Sequence, residues 1–252
     1  MKIHEIINEA PIPDEWEQAH NKNKTGKVFS PQTSFSERIN YAAEKVGKLG
    51  AGSSRTAFTV QYEGRPTVVK IAHNGKGIAQ NKAEAAILSD SSLKRLGIMI
   101  PLIDYDTVHD EPLWIHTEKA EPIHTQEDLE KYLKSFSVSI LYDLADAIAK
   151  GLTSKAKKLS DYYAEGCAHE YGDAAVRPAL HMAEKWAVLA NAGLLLGDLK
   201  KAENWGLYKG TPVLIDVGFT RDVFQQHYNN AGRNFNPEKE TPLPSGNAWK
   251  TE

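Results

Sequence analysis

The rhythm of apolar and polar positions changes several times along the chain. Between residues 46 and 72, short β-branched runs alternate with glycines, which is the pattern of strands. Residues 46–49 lead into a Gly-rich turn and residues 58–62 leave it. Glu63-Gly64-Arg65-Pro66 turns the chain, and residues 67–72 are apolar enough for a buried strand. Residues 78–96 switch to helical spacing, with Ala83, Ala86, Ile87 and Leu93 on one side. Residues 98–103 and 113–117 return to strand, so the predicted order is strand, strand, strand, helix, strand, strand.

Beyond Pro122 the character is helical as far as Leu196, with residues 126–136, 137–150 and 173–192 the best candidates. Two short strands, 205–208 and 213–215, then bracket a turn at Lys209-Gly210. Residues 1–35 are polar and carry Pro11, Pro13 and Pro31, which predicts a mobile arm. A helix over 36–45, capped by Ser34 or Ser36, would follow it. Residues 219–252 are again polar and rich in Asn and Pro.

Composition narrows the function classes. The chain has 252 residues, of which 41% are hydrophobic and 25% charged, as in ordinary soluble domains. That length suffices for one bilobal domain. A net charge of -3 argues against a nucleic-acid partner, which selects for a basic face. The single cysteine, Cys167, excludes an intramolecular disulfide and fits a reducing cytoplasm. No run approaches the ~20 apolar residues of a membrane span, and the N-terminus lacks the apolar core of a secretory signal. The expectation is a cytoplasmic protein with no membrane partner.

Four places could carry chemistry. Leu49-Gly50-Ala51-Gly52-Ser53-Ser54-Arg55 is a Gly-rich turn between strands, either a plain tight hairpin or a loop whose N–H groups approach phosphate. A P-loop reading fails, because Ser53 stands where the phosphate-binding lysine belongs after Gly47 and Gly52. A dinucleotide-binding reading fails because the glycines lead into strand and not helix. Lys70 lies inside the apolar strand Val68-Val69-Lys70-Ile71, and so either faces solvent from an edge or has a buried partner. Glu84, on the next helix among small apolar residues, is the natural partner, unless it is simply solvated. The run Gly197-Asp198-Leu199-Lys200-Lys201-Ala202-Glu203-Asn204 and the strand-end Asp216 supply oxygen ligands of the kind magnesium prefers. Their bland alternative is capping and turn formation.

Taken in order, these residues resemble the protein kinase superfamily over about residues 46–220. The Gly-rich loop resembles Leu49-Gly50-x-Gly52, the strand lysine Lys70, the helix glutamate Glu84, the catalytic-loop Asp and Asn Asp198 and Asn204, and the metal-binding Asp-Phe-Gly Asp216-Val217-Gly218. The resemblance implies an α+β, bilobal protein-kinase-like fold: a small antiparallel-sheet N-lobe with one main helix (36–121) and a reduced, mainly helical C-lobe (122–252). It implies ATP and Mg2+ as cofactors. Gly50 and Gly52 would cover the phosphates, and Lys70, positioned by Glu84, would hold them. Glu118 to Glu121, with Glu118 and Ala120 foremost, would meet adenine. Asp198 would act on the acceptor hydroxyl, Lys200 (or Lys201) would neutralise the transferred phosphoryl group, and Asn204 and Asp216 would hold the metal.

The departures from that pattern are specific. Arg55 replaces the third loop glycine, Leu196-Gly197 replaces His-Arg, Val217 replaces Phe, and the spacing from Asp198 to Asn204 is one residue longer than usual. After Gly218 there is no Ala-Pro-Glu. The implied function is phosphotransfer, foremost to a protein Ser/Thr hydroxyl, with a small-molecule acceptor suggested by Gly197-Asp198. A pseudokinase or virion-associated binding module is the rival, motivated by the altered loop and short C-terminus. Residues 1–9, ending Ile7-Asn8-Glu9, resemble the cleaved capsid-targeting leaders of tailed-bacteriophage head proteins, or form an ordinary short helix. His169, Glu170 and His181 lack zinc-site spacing, and Cys167 reads as packing.

Overall fold

A computed structural model describes residues 48–52, 54–72, 74–107 and 112–229. The arm at 1–35, the leader within it, the helix expected at 36–45 and most of the polar tail (230–252) lie outside the described residues.

β-Branched and apolar runs between residues 48 and 118 build one antiparallel five-stranded sheet. Its strands are β1 (Lys48–Ala51), β2 (Arg55–Tyr62), β3 (Arg65–Ala72), β4 (Leu102–Tyr105) and β5 (Trp114–Glu118), in the order β1-β2-β3-β5-β4. Helix α1 (Gly75–Ser89) packs across β3 and β5. The Asn74 side chain caps its start by accepting from the Gly77 N–H at 3.1 Å. Asp90 ends it and caps the next short helix, α2 (Ser91–Lys94), accepting from the Ser92 and Leu93 N–H groups. This cap splits the single helix expected over 78–96.

The buried face of α1 only partly matches the one read from its apolar residues: Ile87, and Leu93 beyond it, are buried as read. Ala86 is exposed, while Gln80, Asn81 and Glu84 are buried beside Gly77, Ala85 and Leu88. Three of the seven buried residues are polar because that part of the face meets an ion-pair cluster and not the apolar core.

The strand expected at 98–103 is displaced. Ile98, Met99 and Ile100 are buried, and their backbone pairs with Leu214 in the second half of the molecule: the Ile100 N–H donates to the Leu214 carbonyl, and the Leu214 N–H to Ile98. The sheet strand β4 begins only at Leu102. These three residues run the hydrophobic core from the sheet into the helical part.

The helical part contains α3 (Gln126–Leu133), α4 (Val138–Ala149), α5 (Thr153–Tyr171) and α6 (Asp173–Asn191), with α4, α5 and α6 packed on one another. Helix α5 buries few residues fully, Tyr163 and Cys167 among them, so its polar surface gave little apolar periodicity to read. A second sheet of β6 (Glu121–Pro122), β7 (Trp205–Tyr208) and β8 (Thr211–Leu214) lies after the helices in the order β6-β7-β8. Between α6 and β7 stand the short helix α7 (Leu196–Leu199) and a 3-10 turn, Ala202–Asn204. Helix α8 (Arg221–His227) occupies part of the segment expected to be a polar tail, and it packs back on α1. The whole is an α+β arrangement, an antiparallel-sheet part followed by a mainly helical part, as the sequence implied. Among the described residues, no helix is long and apolar enough to cross a membrane.

Candidate active site

The sheet register brings the first two groups together. Ala57 on β2 faces Lys70 on β3, so Arg55, two residues from Ala57, shares Lys70's face of the sheet as its diagonal neighbour. Both side chains point at α1. Lys70 Nζ donates to Glu84 Oε1 at 2.6 Å, and Arg55 Nη1 to Glu84 Oε2 at 2.5 Å. Glu84 is wholly buried, so its two cations replace the water it has lost. Removing one member of such a buried set typically costs about 3–5 kcal/mol, because the remaining charge is stranded.

The same two cations reach across to the helical part. Lys70 Nζ also donates to the Ile215 carbonyl at 2.6 Å, and Arg55 Nη2 to Asp216 Oδ1 at 2.7 Å. The Gly218 N–H donates to that same Asp216 oxygen at 3.2 Å. Burial alone would raise the Asp216 carboxyl. The Arg55 charge, then the Lys70 charge, outweigh it and hold the group well below the usual carboxylate range. Gly218 has no room for a side chain, since a Cβ there would lie 2.8 Å from the Gln80 carbonyl and 3.1 Å from the Arg55 guanidinium. Val217, in place of the Phe of the family pattern, is buried.

Asp198 lies in α7, directly after the buried Leu194, Leu195 and Leu196. Lys201 Nζ donates to its Oδ1 at 2.5 Å. Burial pushes the Asp198 carboxyl above the ordinary aspartate range, against the pull of the Lys201 ammonium. The longer loop closes through two bonds. Asn204 Nδ2 donates to the Asp198 carbonyl at 2.9 Å, and Trp205 Nε1 to the Leu199 carbonyl at 2.8 Å. Trp205 is itself fully buried and stacked on Trp186, which fixes the loop to α6. The Ile215 N–H donates to the Asn204 carbonyl, tying this loop to the strand end that carries Asp216.

Lys200 is not the lysine at the carboxylate: its Nζ stands 4.3 Å over the Tyr142 ring, and the neighbouring Lys201 reaches Asp198 instead. Glu118 is committed elsewhere, with its N–H on the Pro101 carbonyl and its carboxylate on Arg65. Gly50 lies in β1 and Gly52 at the tip, where the Gly52 N–H donates to the Arg55 carbonyl at 2.9 Å. Among the described residues, no atom comes within 4 Å of a Cβ at Gly50. Strand β2 starts at Arg55 and not at Phe58, so the turn is shorter than read, and Arg55 belongs to the strand.

Three further residues build the site without having been marked in the sequence. Ser54 Oγ donates to Gln80 Oε1 at 2.7 Å, and Asn81 Oδ1 accepts from Arg55 Nη1 at 3.3 Å. The signal for the α1 pair was available, because Gln80, Asn81 and Glu84 fall on one helical face. For a magnesium ion, the Asp216 and Asn204 oxygens are suitable in kind, since that ion takes one or two protein ligands and completes its shell with phosphate and water. However, Asp216 already carries a guanidinium on Oδ1. Among the described residues no group of three or more His, Cys, Asp and Glu gathers into a metal site.

No family model matches this chain, and no curated protein does. Among solved structures it is similar to a thermostable mutant of aminoglycoside phosphotransferase APH(4)-Ia in ternary complex with ADP and hygromycin B. The identity is 15%, covering 71% of this chain and 70% of that one, with a TM-score of 0.28. It is likewise similar to aminoglycoside phosphotransferase APH(4)-Ia, at 14% identity, the same coverage and a TM-score of 0.29.

Proposed function

We propose that this chain is an ATP-dependent phosphotransferase that passes the terminal phosphoryl group to a hydroxyl, foremost a protein Ser or Thr. The observation that carries this reading is the continuous set Lys70–Glu84–Arg55–Asp216, joined through Ile215 and Asn204 to the Asp198 loop. Phosphoryl transfer asks for positioning and charge neutralisation more than for covalent chemistry, and this set supplies both.

In this reading Lys70, oriented by Glu84, binds the α- and β-phosphates beneath the Gly50–Gly52 loop. The backbone of the Glu118–Glu121 segment is offered to adenine. Asp198 holds the acceptor hydroxyl and takes its proton, for which a raised carboxyl is better matched than an ordinary one. Lys201, and not Lys200, is the cation beside that exchange. Asn204 and the Asp216 oxygen not taken by Arg55 would hold a magnesium ion for the transfer step, where it would neutralise charge on the phosphate oxygens.

A second reading, a nucleotide-binding module without turnover, is favoured by one observation: each acid that would work in transfer is already paired, Asp216 with Arg55 and Asp198 with Lys201. Transfer from labelled ATP separates the two. The assay offers protein Ser/Thr acceptors in one arm and small polyhydroxyl acceptors in the other. The phosphotransferase reading predicts label in at least one arm, reduced roughly 10²–10⁴-fold by Asp198→Asn. ATP binding with no label in either arm, or label unaffected by that substitution, overturns it.

A further inference from the structure

Arg55 occupies a seat built for a cation. Its guanidinium is almost fully buried and donates to three acceptors from two parts of the fold: Glu84 and Asn81 on α1, and Asp216 after β8. The backbone of Gly218 closes the seat, at a distance no larger residue could tolerate. Of its contacts, the one to Asp216 is the least expected, because that carboxylate is the one suited to a divalent ion.

The sum of charges makes the consequence clear. Lys70 and Arg55 face Glu84 and Asp216, two cations against two carboxylates. Without Arg55 the cluster would carry a net negative charge, and a phosphate chain could approach it only with a metal ion to reverse the sign. With Arg55 the cluster is neutral before any ion arrives. A guanidinium is always charged and forks between two oxygens, so it can hold this place permanently.

We propose that Arg55 is a built-in counter-cation for the nucleotide phosphates, standing at Asp216 where a divalent ion would otherwise be required, so that nucleotide binding depends little on divalent ions. This rests on the nucleotide site proposed above. A purely structural role for Arg55, pinning the sheet and α1 to the Asp216 strand end, would affect binding equally with and without metal. The ratio of the two affinities therefore separates the roles.

The test is calorimetric titration of ADP into the full chain, in EDTA and in excess magnesium, for wild type, Arg55→Gln and Arg55→Lys. For wild type the two dissociation constants are expected to differ by less than roughly fivefold. Arg55→Gln should bind more than roughly tenfold more weakly in EDTA and recover most of that loss in magnesium, and Arg55→Lys should fall between the two. Wild-type binding that collapses in EDTA overturns the proposal, and needs no variant to fold. So does an Arg55→Gln protein whose affinities fall equally in both buffers. Absence of ADP binding by wild type in either buffer overturns the nucleotide site itself, a separate and recognisable failure.

Discussion

Asp216 shows how far a neighbouring cation can move a single carboxyl. Its folded value lies below the ordinary aspartate value of about 3.9. A depressed carboxylate of this kind stabilises the fold fully above the unfolded value, and loses that contribution as pH falls through the folded one. The difference in urea midpoint between wild type and Asp216→Asn should therefore hold from about pH 7 to about pH 5 and shrink below about pH 4. A difference that stays constant through that acid range would contradict the Arg55–Asp216 pairing. At this scale the sequence showed which groups carry charge in apolar surroundings: Lys70 in a strand, Glu84 among alanines, Asp216 at a strand end. It did not show where Arg55 points, because that depends on β2 starting at residue 55. Nor did it decide between Lys200 and Lys201, because the chain leaves α7 at Lys200 and is extended at Lys201, so the two side chains swing apart. That swing puts Lys201 on Asp198 and Lys200 on Tyr142.

Among the elements, α1 carries the most information per residue. It is amphipathic in an unusual sense, with Gln80, Asn81 and Glu84 forming its inner stripe. Gly77 sits at the start of that stripe, and a Cβ there would collide with the Ser54 carbonyl of the Gly-rich turn and press on Ala72. In an exposed helix, Gly to Ala stabilises by up to about 1 kcal/mol. Here overpacking wins, and Gly77→Ala should destabilise by about 1–3 kcal/mol. Gly75→Ala, with no atom of the described residues within 4 Å of its Cβ, serves as the control and should be neutral or stabilising. Equal urea midpoints for the two variants would show that the turn does not rest on α1. Element types were legible from spacing for most of the chain, and boundaries were not. Asp90 cut one expected helix in two by capping α2, while α5 lacked an apolar stripe to announce it. Residues 98–100 were apolar like a sheet strand, yet they pair with Leu214 instead.

For the molecule as a whole, the Lys70–Ile215 and Arg55–Asp216 contacts join the sheet part to the helical part at the site itself. Tyr228, just past α8, adds a further tie beside the Ile98–Ile100 pairing with Leu214: its hydroxyl accepts from Gln80 Nε2 at 3.4 Å and its ring lies under Lys76. This last tie could not be read from a segment whose composition is polar. The order of motifs along the chain, in contrast, anticipated the pairing of Lys70 with Glu84, because a lysine in a strand and a glutamate in the following helix meet when that helix covers the sheet.

The central claim is that this junction binds a nucleotide through Lys70, and thermal unfolding with ATP tests it most directly. At ATP about 100 times its dissociation constant, binding adds roughly 2.7 kcal/mol of stability. For a chain of this size that corresponds to a rise on the order of 5–10 °C in Tm. The account predicts that rise for the wild type and its loss in a folded Lys70→Met variant. An unchanged Tm in the wild type, or an equal rise in the variant, would contradict it.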